Sequence, residues 1–282
     1  MAGPPSRDLE AEGAGGVTLR GWIRGEGTPL LLAHGITAHR DLVLHGSSHL
    51  PRHGFEVASY DARAHGESDG GPEGEYSYEN LAADLRAFKK AAFGAGAKPL
   101  LAGHSMGAHT ILAAALEDPG AYAGLIVIGP VSVGEMPSES SLEHWDELAD
   151  GLAEGGLEGW IEAYDQNLDP EWRETLLRIA RERMGHHKHP EALAVALHEV
   201  PRSIPYEGLE PLAGLELPAL VVASHDVADP GHPYETAKQI SEKLPNARLI
   251  SEEDEGESPL AWQGGKLSRE IETFAREDAD LG

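Results

Sequence analysis

The stretch Pro99-Leu100-Leu101-Ala102-Gly103-His104-Ser105-Met106-Gly107-Ala108, PLLAGHSMGA, decides the fold. A short apolar run enters a Gly-x-Ser-x-Gly, and a small-residue segment follows from Met106 to Leu116 with Ile111, Leu112 and Ala115 on one helical face. On composition alone the motif carries little information. Between a strand and a helix it describes a tight turn in which side chains beside the serine would meet neighbouring backbone, hence the glycines. The turn exposes the Ser105 hydroxyl at a helix N-terminus, where backbone N–H groups can stabilise an oxyanion.

Similar punctuation continues to either side. Leu30–Ala33, Phe55–Tyr60, Leu125–Ile128, Ala219–Ala223 and Ala247–Ile250 are apolar runs bounded by turn residues and read as short strands. Val17–Arg24 reads as earlier antiparallel edge structure. Helical patterns at 78–91, 106–116, 234–244 and 267–276 alternate with the strands, which indicates βαβ units and a mostly parallel sheet covered on both faces. From 134 to 203 the strand signals stop. Ser140-Ser141-Leu142-Glu143 predicts a capping box, Asp169-Pro170 a second helix start and Pro190 a third. The expected organisation is a disordered tail at 1–15, an α/β core at 16–133 and 204–282, and an all-helical insertion at 134–203.

Composition narrows the chemistry. The chain of 282 residues has no cysteine, which excludes disulfides, thiolate zinc sites and a cysteine nucleophile. Forty-eight acidic against 22 basic residues give a formal net charge of −26, a field that repels nucleic acid and anionic membranes. No apolar run approaches the length of a membrane span, and residues 1–16 lack the apolar core of a signal peptide. The expectation is a cytoplasmic protein whose partner is a small-molecule substrate, with no nucleic acid and no membrane.

Three further motifs make the chain resemble the α/β-hydrolase family. Ala33-His34-Gly35-Ile36 is similar to the family's His-Gly segment, and Asp61-Ala62-Arg63-Ala64-His65-Gly66-Glu67-Ser68 resembles its structural D-x-R-G-H-G-x-S turn, with Ala64 replacing a glycine. Val222 to Pro230 is similar to the strand end that carries the catalytic acid; it nominates Asp226, with Asp229 the poorer fit. The resemblance covers about 17–275. It implies an α/β-hydrolase fold with a helical cap, Ser105 as nucleophile, the amides of Ile36 and Met106 as oxyanion hole, and Asp226 orienting a base. It also implies hydrolysis of a small carboxylic ester or related acyl compound through an acyl-enzyme, with no cofactor and no metal. Serine at the elbow argues against epoxide hydrolase or dehalogenase chemistry, which needs a carboxylate nucleophile.

The base is the departure. After the last strand the family has Gly-His-Ser/Pro; here Gly256-Glu257-Ser258-Pro259 keeps the frame with glutamate, and all 15 histidines lie at or before His232. Three readings stand. Glu257 could itself be the base, in an arrangement resembling that of sedolisin peptidases, if a neighbouring carboxyl raised its pKa. His232, six residues after Asp226, could have moved in, oriented by Glu257 or Asp226. Or the triad is broken, and the fold is a catalytically impaired or ligand-binding protein. Gly185-His186-His187-Lys188-His189 reads as an exposed loop rather than a metal site. Trp145, Trp160, Tyr164 and Trp172 suit either a pocket or core packing, and the acidic run from Glu252 to Glu255 reads as solvated surface.

Overall fold

The computed structural model describes residues 4–166, 168, 170–225, 229, 231–252 and 258–281. One sheet organises the chain. Its strands are β1 (Ser6–Glu12), β2 (Thr18–Arg24), β3 (Thr28–Ala33), β4 (Phe55–Tyr60), β5 (Leu100–His104), β6 (Gly124–Ile128), β7 (Ala219–Val222) and β8 (Ala247–Ile250). They lie in the order β1-β2-β4-β3-β5-β6-β7-β8. The first two pairings, β1 with β2 and β2 with β4, are antiparallel, and the other five are parallel. The α/β-hydrolase architecture expected from the motifs is the one observed.

Successive side chains of a strand point to opposite faces, so near-continuous apolar strands build two cores. Leu31, Ala58, Leu101, Val127 and Val221 pack on one face with α2 (Tyr78–Phe93), α3 (Met106–Glu117) and α7 (Tyr234–Lys243). Leu30, Leu32, Leu100, Ala102, Ile126 and Val222 pack on the other with α1 (His49–Arg52) and α8 (Gly264–Glu277).

Residues 6–12 are not a tail. They form β1, paired with β2 from Ser6↔Arg24 to Glu12↔Thr18. Only Leu9 and Ala11 turn towards the core, while charged residues face outward. Such a strand has too few apolar residues to announce itself and is held by its partner; Glu10 also pairs with Arg20 across the ladder at 3.0 Å. Charge on an edge strand discourages pairing with other chains.

Between β6 and β7 lie α4 (Glu139–Asp165), α5 (Arg173–Met184) and α6 (Pro190–Glu199). Helix α4 breaks at Gly156, where φ is 58°, so the described residues of the insertion form four α-helical segments followed by a short helical turn at Val200–Arg202. The N-cap of α4 is Ser138, whose hydroxyl accepts from the Ser141 N–H at 3.2 Å, two residues before the expected cap. Pro190 opens α6 as expected. Among the described residues no helix is long and apolar enough to cross a membrane.

Candidate active site

Strand β5 ends at His104 and α3 begins at Met106, leaving Ser105 at φ 55°, ψ −114°. A side chain in that region stores about 1–3 kcal/mol and persists only where its surroundings hold it. The Ser105 N–H donates to the Ile128 carbonyl at 3.0 Å, and its own carbonyl accepts from the His109 N–H at 3.2 Å. The glycines have a steric reason. A Cβ on Gly103 would lie 2.2 Å from the Gly107 oxygen, and one on Gly107 would lie 2.1 Å from that of Ala33. Ser105 is only 9% exposed, and its hydroxyl caps none of the first N–H groups of α3.

The segment after β3 lies against this elbow. A Cβ on Gly35 would sit 3.3 Å from the Ser105 Cβ. His34 donates from Nδ1 to the Gly35 carbonyl at 2.8 Å and accepts at Nε2 from the Ala62 N–H at 2.9 Å, an arrangement that needs a neutral ring. Burial, aided by the charge of His65, holds its pKa well below the ordinary value. The His65 ring spans the carbonyl oxygens of Arg63 at 2.8 Å and Ile36 at 2.6 Å, which fixes the backbone at Ile36. Ile36 and Met106 are buried in one cluster with Leu148, Leu152, Trp160 and Met184 of the insertion.

The Asp61–Ser68 turn is structural in this chain. Ala64 takes φ 67°, the left-handed conformation that suits the usual glycine. Arg63 is fully buried and grips Asp84 through Nε at 2.7 Å and a terminal nitrogen at 2.9 Å. Asp61 accepts from the N–H groups of Arg40 and Glu67 and from the Arg40 guanidinium.

His232 stands at the same end of the sheet as Ser105. Its Nδ1 lies 2.8 Å from Asp229 Oδ2, and its Nε2 is buried with no partner among the described residues. A Cβ on Gly129 would be 3.3 Å from the His232 ring and 3.5 Å from His104 Nε2. Gly129 directly follows the residue whose carbonyl holds the Ser105 N–H. The His232 and His104 rings are 5.0 Å apart, and His104 meets Trp262 edge-on at 5.4 Å. Burial, then the charge of His232, lowers His104 to about 3. Burial pushes the Asp229 carboxyl up, but the hydrogen bond and charge of His232, with the charges of His104 and Arg183, leave it below the usual carboxylate value. Among the described residues the carboxylate paired with His232 is Asp229, the residue that motif spacing ranked second. Asp226 and Glu257 lie outside the described residues.

Several residues depart from their sequence reading. Glu252, expected on the surface, is 7% exposed: Oε1 accepts from the His225 N–H and from the Ser224 hydroxyl, and Oε2 is buried with no partner among the described residues. The end of β7 supplies donors that draw it in, which its acidic neighbours concealed. The loop at 185–189 is exposed at Gly185, His186 and Lys188, as expected, and is also anchored to the core. His187 accepts from the Gly66 N–H at 2.9 Å, and His186 stacks on His39 at 4.3 Å. Trp160 is buried and stacks on Tyr164 at 4.9 Å, whereas Trp172 is 45% exposed. His225 stacks on Tyr234.

Two functional candidates were missed. His109, one turn into α3, accepts at Nε2 from the N–H groups of Val131 and Ser132 and meets the Tyr206 hydroxyl at Nδ1, 3.3 Å away. Burial, then the charge of His232, lowers it to about 4. A lone polar residue on a small-residue helix, one turn after the serine, was the available signal. Arg183, next to last in α5, has its Nε buried with no partner among the described residues. Its guanidinium interacts with Tyr164, and its charge acts on Asp229 and His104.

Comparison with known proteins agrees with this architecture. The alpha/beta hydrolase fold family matches residues 28–191. No curated protein matches the chain in sequence. Among solved structures, a thermophilic esterase from Thermogutta terrifontis superposes with TM-score 0.79 at 23% identity, covering 97% of this chain and 99% of its own. An enol-lactonase from Burkholderia xenovorans LB400 gives 0.76 at 19%, covering 95% and 100%. An esterase from Rhodococcus sp. ECU1013 gives 0.70 at 22%, covering 98% and 99%. At these identities the likeness is one of fold.

Proposed function

Because the chain belongs to the α/β-hydrolase fold family, we propose that it is a serine hydrolase cleaving small carboxylic esters or related acyl compounds through an acyl-enzyme on Ser105. The observation that carries the proposal is the His232–Asp229 pair. A histidine with a carboxylate on Nδ1 and a buried Nε2 that has no partner among the described residues is arranged to take a proton at Nε2. The base then comes from the loop between β7 and α7, whereas the family usually places it after β8.

In this mechanism Ser105 Oγ attacks the acyl carbon while its proton passes to His232 Nε2. The carbonyl oxygen becomes an oxyanion that accepts from the amides of Ile36 and Met106. Asp229 keeps the imidazole in the required tautomer and stabilises the imidazolium. As the C–O bond breaks, His232 returns the proton to the leaving alkoxide. Water then attacks the acyl-enzyme, giving a proton to His232, and collapse of the second oxyanion breaks the acyl C–Oγ bond and releases the carboxylic acid as His232 returns that proton to Ser105 Oγ.

The insertion acts as the cap, since its apolar residues share a cluster with Ile36 and Met106. Arg183 brings a cation to the cap side of the pair, which favours acyl substrates carrying a negative group.

A fluorophosphonate probe tests the proposal. Labelling at Ser105 in the parent, absent in Ser105→Ala and strongly reduced in His232→Ala, is the expected result. An unlabelled parent would favour a ligand-binding protein on the same fold.

A further inference from the structure

Two imidazoles and a carboxylate meet between α1 and α8. His49 opens α1, His53 follows its last residue four positions later, and Glu272 lies on α8. One ligand atom from each falls within 4.8 Å of the others, a grouping found nowhere else among the described residues. His49 Nε2 is 2.6 Å from Glu272 Oε2, and the two rings stack with centroids 3.9 Å apart.

The surroundings are those of a ligand set. His53 donates from Nδ1 to the His49 carbonyl at 2.6 Å, which leaves a lone pair on Nε2. Glu272 Oε1 accepts from Arg276 at 2.6 Å, leaving Oε2 for the cluster. Histidines that bind metals nearly always donate their second ring N–H to a carbonyl or carboxylate, and ligating carboxylates are themselves hydrogen-bonded. Both outer partners are already in place.

We propose that His49, His53 and Glu272 bind a divalent cation of the zinc class, with solvent completing a four-coordinate shell. Two neutral imidazoles and one carboxylate suit Zn²⁺, or Ni²⁺ and Co²⁺ in its place, and do not suit the all-oxygen shells of Mg²⁺ or Ca²⁺. The three donor atoms, within 4.8 Å of one another, need small side-chain adjustments to reach metal–ligand distances of about 2.0–2.2 Å.

The site is remote from Ser105. His53 precedes the first residue of β4 by two positions, whereas Ser105 follows the last residue of β5, and both strands run parallel to β3. The two sites thus lie at opposite ends of the sheet, separated by about the length of a strand, roughly 17–20 Å. The cation's role is to clamp the C-terminal helix to the β3–β4 connection, with no part in acyl transfer.

The test is calorimetric titration of the full-length, chelator-stripped protein with ZnCl₂ at neutral pH, with thermal melting in the presence and absence of the salt. One equivalent should bind and raise the melting temperature, since a ligand specific for the folded state stabilises it by mass action. His53→Ala and Glu272→Gln should each weaken binding by more than about 100-fold, beyond the ~10–100-fold typical of outer-shell changes. Both should remove the zinc-dependent rise while melting close to the parent in chelator. Absence of stoichiometric binding would overturn the proposal. So would binding that survives in both variants, which would put the ion on other histidines such as those of the 186–189 loop.

Discussion

His232 Nδ1 and Asp229 Oδ2 lie 2.8 Å apart, three residues apart in sequence, and the pairing turns the opposite ring nitrogen into the buried space beside Gly129. In the proposed mechanism acid and base are then supplied by one loop instead of two.

Steady-state kinetics on short p-nitrophenyl esters separates the candidate bases. His232→Ala should lose about 10³-fold or more in kcat, and Asp229→Asn about 10³–10⁴-fold through the wrong tautomer. Glu257→Gln should stay within a few-fold of the parent. A large loss in Glu257→Gln with His232→Ala unaffected would assign the base to the glutamate.

Ser105→Gly should abolish turnover and stabilise the fold by about 1 kcal/mol. Glycine adopts the positive φ of this position without the strain that serine carries. Denaturant unfolding checks this, and a variant less stable than the parent would mean that the elbow stores no strain.

Asp84→Ala should cost about 3–5 kcal/mol, because it leaves the fully buried Arg63 guanidinium without its counter-ion. Asp84 also accepts from the Ala14 N–H, so the start of β2 should lose protection from amide exchange as well. A cost below about 1 kcal/mol would show that water or Glu75 replaces the partner.

Stability should fall on mild acidification. His104 and His109 have folded pKa values of about 3 and about 4, below the ~6.5 of an unfolded histidine. Below that value the unfolded chain binds protons that the native state refuses, so unfolding becomes easier. Their contribution is complete above pH ~6.5 and declines as pH drops towards 4, by up to about 1.4 kcal/mol per pH unit for each histidine. Melting temperature should be flat above neutrality and drop between pH ~6.5 and ~5; a rise over that window would contradict the burial of the two rings.

Arg183→Met should raise KM for esters bearing a carboxylate by about 10- to 100-fold, the worth of one charge-assisted hydrogen bond. KM for neutral esters should change less than about twofold. Equal effects on both substrate types would make Arg183 a packing residue of the cap.

Much of the fold was legible because its signals are local. A strand such as Leu30–Ala33 is an apolar run closed by a turn, and Gly103 and Gly107 flank Ser105 because backbone lies about 2 Å from where their side chains would be. The strand signals stop at 134–203, and helices α4 to α6 lie between β6 and β7. Edge strand β1 escaped notice because its order comes from β2, a partner whose presence no pattern within SRDLEAE reveals.

The sequence by itself determined the parallel α/β core, the serine elbow and the turn built on Asp61 and Arg63, since each rests on residue types at fixed short spacings. It also determined that no histidine follows the last strand. Only the tertiary structure decided that Asp229 holds His232, that Glu252 turns inward to the end of β7, and that Glu272 meets His49 across 223 positions of chain. The physical reason is that a side chain's charge, partner and exposure depend on what the fold brings against it, and the distance along the chain between such neighbours carries no trace of their contact.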